Sequence, residues 1–272
     1  MNELSELLGE SPTMQVVRET LRRLLARQRT GQRLPAILLQ GETGTGKGLA
    51  ARTLHRAGAR SGAPFVDVNC AAIPSTLLEA ELFGFERGAF TDARHAKPGL
   101  FQTAHRGVLF LDEVSLLAEP LQAKLLTAIE ERSVRRLGST RPEPADVWLL
   151  SATNANLQAA VAAQRFRADL YHRLAVITID MPPLRDRGTD VLLIARQVLD
   201  RTCAEYGLPP KRLDSRAEAR LLKYSWPGNI RELGNVIERA ALFSDAAVIT
   251  ADLLGPLQAP DPGAALRRVA RA

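Results

Sequence analysis

"AILLQGETGTGKG", residues 36–48, decides the reading of this chain. "AILLQ" (36–40) is a short apolar run, as expected of a strand buried in a sheet. The segment after it, "GETGTGKG" (41–48), is rich in glycine and opens onto a helical pattern. Gly41, Gly44 and Gly46 let the backbone wrap tightly with its N–H groups turned inward, which is how a loop cradles phosphate. Lys47 then reaches the β- and γ-phosphates of a nucleotide. Gly41, Glu42, Thr43, Gly44, Thr45, Gly46, Lys47 and Gly48 are therefore expected to bind ATP. Strand before and helix after are the context that this Walker A pattern requires. One position departs from it. The Ser or Thr that usually follows the lysine and meets Mg²⁺ is Gly48 here.

"VLFLDE" (108–113) supplies the second half of such a site. An acidic pair at the end of a buried apolar strand is costly unless it has a task. Asp112 is expected to hold Mg²⁺, directly or through water, and Glu113 to polarise the attacking water. By itself such a pair also fits a surface turn. Following a phosphate loop on the same chain, it points to ATP hydrolysis.

Working outward, "FVDVN" (65–69), "DVWLLSAT" (146–153) and "VITIDM" (176–181) read as further strands, and helical patterns such as "LQAKLLTAIEE" (121–131) separate them. This alternation predicts an α/β fold: a parallel five-stranded sheet sandwiched by helices. An amphipathic helix over 14–28 precedes it, with an Arg-rich outer face. "PPLRDRG" (182–188) ends the alternation, since two prolines and a glycine continue neither a helix nor a central strand. Beyond it, 190–207, 215–224 and 229–243 all read as helices and no strand is convincing, so a small helical lid subdomain follows. In "WPGN", Trp226 reads as lid core, and Pro227–Gly228 as the turn that starts the next helix. The organisation expected is an α/β nucleotide-binding subdomain over 8–181, the lid over 182–257 and a Pro/Gly/Ala-rich linker or tail over 258–272, where "ALRRVARA" could begin another helix.

Composition fits this reading. The chain has 272 residues, 46% hydrophobic and 24% charged, ordinary for a globular protein large enough for a core domain and a lid. Aromatics are only 5%, so Leu, Val, Ile and Ala must build the core. The net charge of +6 comes mostly from dispersed arginines with no compact basic stripe, which argues against a nucleic-acid face. Cys70 and Cys203 lie far apart, without metal-ligand spacing or a disulfide framework, so a cytoplasmic setting is expected. No apolar run approaches membrane-spanning length, and no membrane partner is expected.

The motifs in order, "GETGTGKG", "FVDVNCAAI", "EAELFGFERGAFTDA", "LFLDEV", "QAKLLTAIEERSVRRLGS", "SATNANL", "FRADLYHRL", "PPLRDR" and "WPGNIREL", resemble the central AAA+ domain of sigma-54-dependent transcriptional activators, the bacterial enhancer-binding proteins. The resemblance runs from about residue 8 to 255. It implies an AAA+ P-loop NTPase that turns over ATP with Mg²⁺ only when assembled into a ring, typically a hexamer. It also assigns roles. Asn69 matches a switch that pairs with Glu113 until the γ-phosphate is sensed. Thr153 and Asn154 match sensor I. Arg167 and Arg173 match arginine fingers that act on a neighbouring subunit's nucleotide, and Arg231 matches sensor II, which ties the lid to the nucleotide.

The resemblance further implies that residues 88–93 form the tip of a projecting loop that contacts sigma-54 of RNA polymerase. The family reads GAFTGA there; this chain reads GAFTDA. Gly88, Ala89, Phe90, Thr91 and Ala93 match, with Phe90 as apolar anchor and Thr91 as hydrogen-bonding contact. Asp92 replaces a glycine that tolerates positive φ, and in a ring it would gather negative charge near the axis. Two functions therefore stay open: an ATP-driven ring that remodels sigma-54 RNA polymerase and activates transcription, or a nucleotide-dependent regulatory module of a larger signalling protein that does not engage sigma-54. DNA is expected only through a domain or subunit outside these residues, since no recognition-helix motif is visible.

Replacing Lys47 by Ala removes the cation that meets the phosphates, so nucleotide binding should be lost. Unchanged affinity in a fluorescent-nucleotide titration would sink the phosphate-loop reading.

Overall fold

The computed structural model describes Leu4, residues 6–29 and residues 32–257. These fall into two compact units. Among the described residues, the first holds those up to Leu7 and those within Val17–Glu42 and Gly46–Met181; the second holds Leu8–Val16, Thr43–Thr45 and residues 182–257. The expected tail, 258–272, and its "ALRRVARA" helix lie outside the described residues.

The first unit is built on five parallel strands: β1 (Ile37–Gln40), β2 (Phe65–Asn69), β3 (Val108–Asp112), β4 (Trp148–Thr153) and β5 (Ile177–Asp180). Their order across the sheet is β2-β3-β4-β1-β5, all parallel. The central strands are apolar because both of their faces are covered. Leu38, Leu109, Leu111 and Leu149 turn to one core with Leu78 and Leu82 of α3 (Ser75–Phe83), Leu121 and Leu125 of α4 (Glu119–Glu131) and Leu170 and Leu174 of α5 (Ala168–Leu174). Phe110 points to the other face and stacks on Phe65 at 6.2 Å. Helix α2 (Lys47–Ala57) packs against β3 and β4. It brings buried Ala50, Ala51 and Leu54, small or flat enough to sit close to a sheet.

Register decides what the sheet presents. Asn69 lies opposite Asp112, and Gln40 opposite Thr153. The strands thus end in step, and the residues that follow them share one edge. In open parallel sheets, ligands bind at this carboxyl edge.

In the second unit, helices α6 (Asp190–Glu205), α7 (Ser215–Lys223) and α8 (Asn229–Leu242) close around Leu184, Ala195, Leu199, Leu221, Trp226, Leu233 and Ile237. Asp214 caps α7, its carboxylate accepting from Ala217 N at 2.6 Å. Here the structure corrects the sequence reading. The unit is not purely helical: Arg212–Leu213 pairs in parallel with Val248–Ile249. Two-residue strands are too short to carry an alternation pattern, so no periodicity marks them. The buried carboxylate of Asp190, 2% exposed, accepts from Glu10 N, Ser11 N and Ser11 Oγ. That single acid anchors the segment leading into α1 (Pro12–Ala26).

Trp226 is fully buried, donates from Nε1 to Leu221 O at 2.9 Å and meets Tyr224 edge-on. Trp226→Ala should cost about 3–5 kcal/mol, the usual penalty for emptying so large a site. Denaturant unfolding followed by circular dichroism measures it, and a loss below about 1 kcal/mol would remove Trp226 from the lid core.

Candidate functional site

At the carboxyl edge of the sheet, β1 runs directly into the phosphate loop. Gly41 N donates to Thr153 O at 3.2 Å, which ties the loop's first residue to the end of β4. Gly41, Gly44 and Gly46 all have positive φ, at 149°, 81° and 101°. Lys47 opens α2 and is 6% exposed, with Nζ donating to Gly41 O at 2.8 Å and Glu42 O at 3.1 Å. The ammonium is thus held within its own loop. At Gly48 an added Cβ would meet only a Phe110 ring atom, at 4.0 Å, so the missing side chain leaves open space and no clash.

β3 delivers the acidic pair. Asp112 is partly exposed; its carbonyl accepts from Cys70 N and its Oδ1 from Glu113 N at 3.0 Å. Glu113 sits in the left-handed region, φ 55° and ψ 46°. That conformation costs a non-glycine residue on the order of 1–2 kcal/mol and recurs where a side chain must be aimed. Its Oε2 accepts from Asn154 N at 3.3 Å. Asn69 Oδ1 instead accepts from Ala71 N at 2.9 Å. The Asn69–Glu113 pair implied by the resemblance is thus not formed here, although the register brings both residues to the same edge. Thr153 is fully buried, its hydroxyl accepting from Ala155 N, and Asn154 beside it is exposed. Cys70, next along from Asn69, has its thiol pushed up to about 12 by burial and by the negative charge of Asp112, so it stays protonated.

A polar cavity of about 510 Å³ adjoins the loop, lined in part by Gly41, Glu42, Asn154, Thr178 and Asp180. The loop and the Asp112 carboxylate suit a triphosphate with its Mg²⁺, which commonly takes one or two carboxylates, the phosphates and water. Among the described residues no cluster of three or more His, Cys, Asp or Glu forms a separate metal site.

The two arginines lie elsewhere. Arg167 caps α5 (Ala168–Leu174) from outside, half exposed, with its guanidinium on Asp169 at 2.7 Å. Arg173, near the end of α5, pairs with Glu130 at 2.8 Å. It also lines a cavity of about 410 Å³ with Arg33, Arg60 and Arg132, beside Ala36, Val147 and Val176. Those last three immediately precede β1, β4 and β5, so Arg173 stands at the amino edge of the sheet. A four-residue strand spans roughly 13 Å, more than an arginine can reach. Arg173 is therefore remote from the phosphate loop of its own chain.

In the second unit, Arg231 lies on the first turn of α8 against Gly44: a Cβ added there would fall 3.1 Å from that of Arg231 and 2.4 Å from Gly228 O. Two other residues of the same motifs reach loop residues 43–45. Arg187 and Asn229 were not singled out by the sequence, because nothing in "PPLRDR" or "WPGN" shows which polar side chain turns inward.

The 88–93 tip is compact. Gly88 N donates to Ala93 O at 2.8 Å and Ala93 N to Phe90 O at 3.0 Å. Ala93 is buried and Phe90 is 44% exposed, leaning on Phe85 at 4.9 Å. Thr91 and Asp92 are exposed. Asp92 is not among the residues with positive φ, so the strain expected from replacing glycine is absent. Only the charge remains. The loop base is held by the segment 133–144, with Glu86 N donating to Leu137 O and Leu137 N to Gly84 O.

Known proteins match this chain along most of its length. The family described as "Sigma-54 interaction domain" matches residues 7–180, and "AAA+ ATPase lid domain" matches 185–264. The response regulator protein PilR of Pseudomonas aeruginosa is 47% identical over 236 residues, covering 87% of this chain and 52% of PilR. The transcriptional activator RocR of Bacillus subtilis is 45% identical, covering 91% and 52%. This chain spans about half the length of these curated relatives. The crystal structure of NtrX from Brucella abortus in complex with ATP superposes with a TM-score of 0.83 at 33% identity, covering 94% of this chain and 58% of that one.

Arg173→Ala should leave nucleotide affinity within about twofold and reduce turnover by roughly 10³ or more, if Arg173 acts on a neighbour's nucleotide. Wild-type turnover across a protein-concentration series would reject that role.

Proposed function

The chain belongs to the sigma-54 interaction domain family, and from that premise we propose that it is an ATP-hydrolysing AAA+ motor that assembles into a ring and remodels sigma-54 RNA polymerase to activate transcription. One observation carries the motor: the sheet register brings Asp112 and Thr153, followed by Glu113 and Asn154 respectively, to one edge, where Gly41 N donates to Thr153 O and joins the loop that leads to Lys47. ATP with Mg²⁺ supplies the γ-phosphoryl group to be transferred. The amides of residues 41–48 and Lys47 bind the phosphates. Asp112 would hold the Mg²⁺, with no loop hydroxyl at Gly48 to share that task. Glu113 orients and polarises the water, with Asn69 as its alternative partner. Thr153 and Asn154 sense the γ-phosphate, and Arg231 ties the lid to the nucleotide.

Phosphoryl transfer is mostly positioning and charge stabilisation, so a cation missing from one chain has to come from another. Arg173 stands a sheet's length from its own loop and pairs with the exposed carboxylate of Glu130. Exposed pairs of this kind are worth about 0–1 kcal/mol, little enough to be exchanged for a neighbour's phosphate. This supports turnover that depends on assembly, in a ring of the hexameric type, with Arg167 as a second finger.

The loop 88–93 is the sigma-54 contact in this reading. The half-exposed Phe90 ring is its anchor, and Thr91 offers a hydroxyl at the tip. The exposed carboxylate of Asp92 favours a second reading, a nucleotide-dependent regulatory module that does not engage sigma-54. DNA is reached through another domain or subunit in both readings, and both place the chain in the cytoplasm. Among the described residues no helix is long and apolar enough to cross a membrane.

Trapping the chain with ADP and aluminium fluoride in the presence of sigma-54 tests the reading. A stable complex on a native gel is expected, and it should strengthen with Asp92→Gly while ATPase activity stays unchanged. No complex with either chain, while ATP is still hydrolysed, would establish the regulatory-module alternative.

A further inference from the structure

Three consecutive carbonyls of the phosphate loop are each held from the second unit, to which residues 43–45 themselves belong. Thr43 O accepts from Asn229 Nδ2 at 3.0 Å, Gly44 O from Ile230 N at 3.0 Å and Thr45 O from Arg187 Nη2 at 2.7 Å. Neither side chain is a surface group that happens to reach over. Asn229 is fully buried and Arg187 is 2% exposed. Asn229 is itself fixed: its Oδ1 accepts from Leu184 N at 2.8 Å, and its backbone takes a left-handed turn with φ 53°. Arg187 also donates to Pro182 O, from Nε at 3.0 Å and from Nη2 at 2.8 Å.

A trans peptide turns its N–H opposite to its C=O. Carbonyls drawn outward at Thr43, Gly44 and Thr45 therefore aim the amides of Gly44, Thr45 and Gly46 the other way. A phosphate cradle needs consecutive amides aimed inward in this manner. Burying an arginine is costly, and burial pushes its guanidinium down to about 10, opposed by the nearby Asp190 charge. It remains a cation at neutral pH. The chain bears that cost at a position where the group touches the loop and Pro182.

We propose that Arg187 and Asn229 are positioning residues of the phosphate loop: they draw its carbonyls outward and so preset the amides that receive the nucleotide's phosphates. This rests on the nucleotide-binding reading above. Preorganisation of this kind acts on affinity, because a loop that must first order its amides binds less tightly.

The test uses the full 272-residue chain and a fluorescent ADP analogue followed by anisotropy, with folding checked by circular dichroism. Asn229→Asp keeps the acceptor for Leu184 N and tolerates the left-handed backbone but loses the donor to Thr43 O. Arg187→Met keeps an unbranched apolar stem and loses all the donors, and Arg187→Lys restores a cation and a donor. The first two variants should bind the analogue roughly tenfold more weakly or worse, and Arg187→Lys should recover part of that loss. A merely structural role would lower the melting temperature and leave the affinity of the folded protein untouched. Folded variants that bind within about twofold of the unmodified chain would overturn the proposal while leaving the nucleotide reading standing. No binding by the unmodified chain would overturn both. Should Arg187→Met not fold, Asn229→Asp and Arg187→Lys decide it.

Discussion

The parallel register of β3 against β2 and β4 is the constraint on which the rest of the site depends. It sets Asn69 opposite Asp112 and Leu111 opposite Ser151, and the matching register of β4 against β1 brings Thr153 level with Gln40. Asn69, Asp112, Gln40 and Thr153 each end a strand whose apolar side chains fill the core. A slip of one residue would send every side chain of the strand to the wrong face. It would bury the carboxylate of Asp112 and move Leu111 to the edge. The same alternation that keeps Leu109 and Leu111 in one core and Phe110 in the other thus fixes the chemistry at the edge, so core packing and site geometry are one requirement.

Two classes of charge follow from that frame, and they behave differently. Lys47 and Arg187 are buried, answered by backbone carbonyls, and so are held in place by the fold. Arg167 and Arg173 are about half exposed and answered by carboxylates that stay in water. A buried cation that loses its partners is strongly penalised, while an exposed pair exchanges at little cost. The first class suits groups that must be ready before a ligand arrives. The second suits groups that must leave one partner for another.

Much of this was legible in the sequence, for reasons that can be named. The phosphate loop reads directly because glycine at positive φ is close to obligatory there, at Gly41, Gly44 and Gly46. The strands read because burial on both faces forces continuous apolar runs, as in "VLFLD". The Arg212–Leu213 and Val248–Ile249 pair stayed invisible because two residues show no period. Arg187 and Asn229 stayed invisible as site residues for a different reason. Their partners are backbone carbonyls some 142 and 186 positions away, and a carbonyl is present at every residue, so no partner type marks the contact in sequence. The same holds for Asp190, whose acceptor role toward residues 10 and 11 is fixed only by the fold.

Asp92 shows where a local rule and the tertiary context part. Read from sequence, an acid in a glycine's place raises two objections, one conformational and one electrostatic. The structure removes the first, since the tip closes through Gly88 N to Ala93 O and Ala93 N to Phe90 O without asking Asp92 for positive φ. The loop's one demand for a left-handed residue at the tip is met at Gly88, φ 82°. What remains is an exposed carboxylate, next to Thr91 and two positions from Arg94. Exposed charges act over about 8 Å at physiological salt, so the carboxylate would bear only on a group brought within that distance of the tip. Any selectivity of the proposed sigma-54 contact would therefore rest on charge laid over an unstrained backbone.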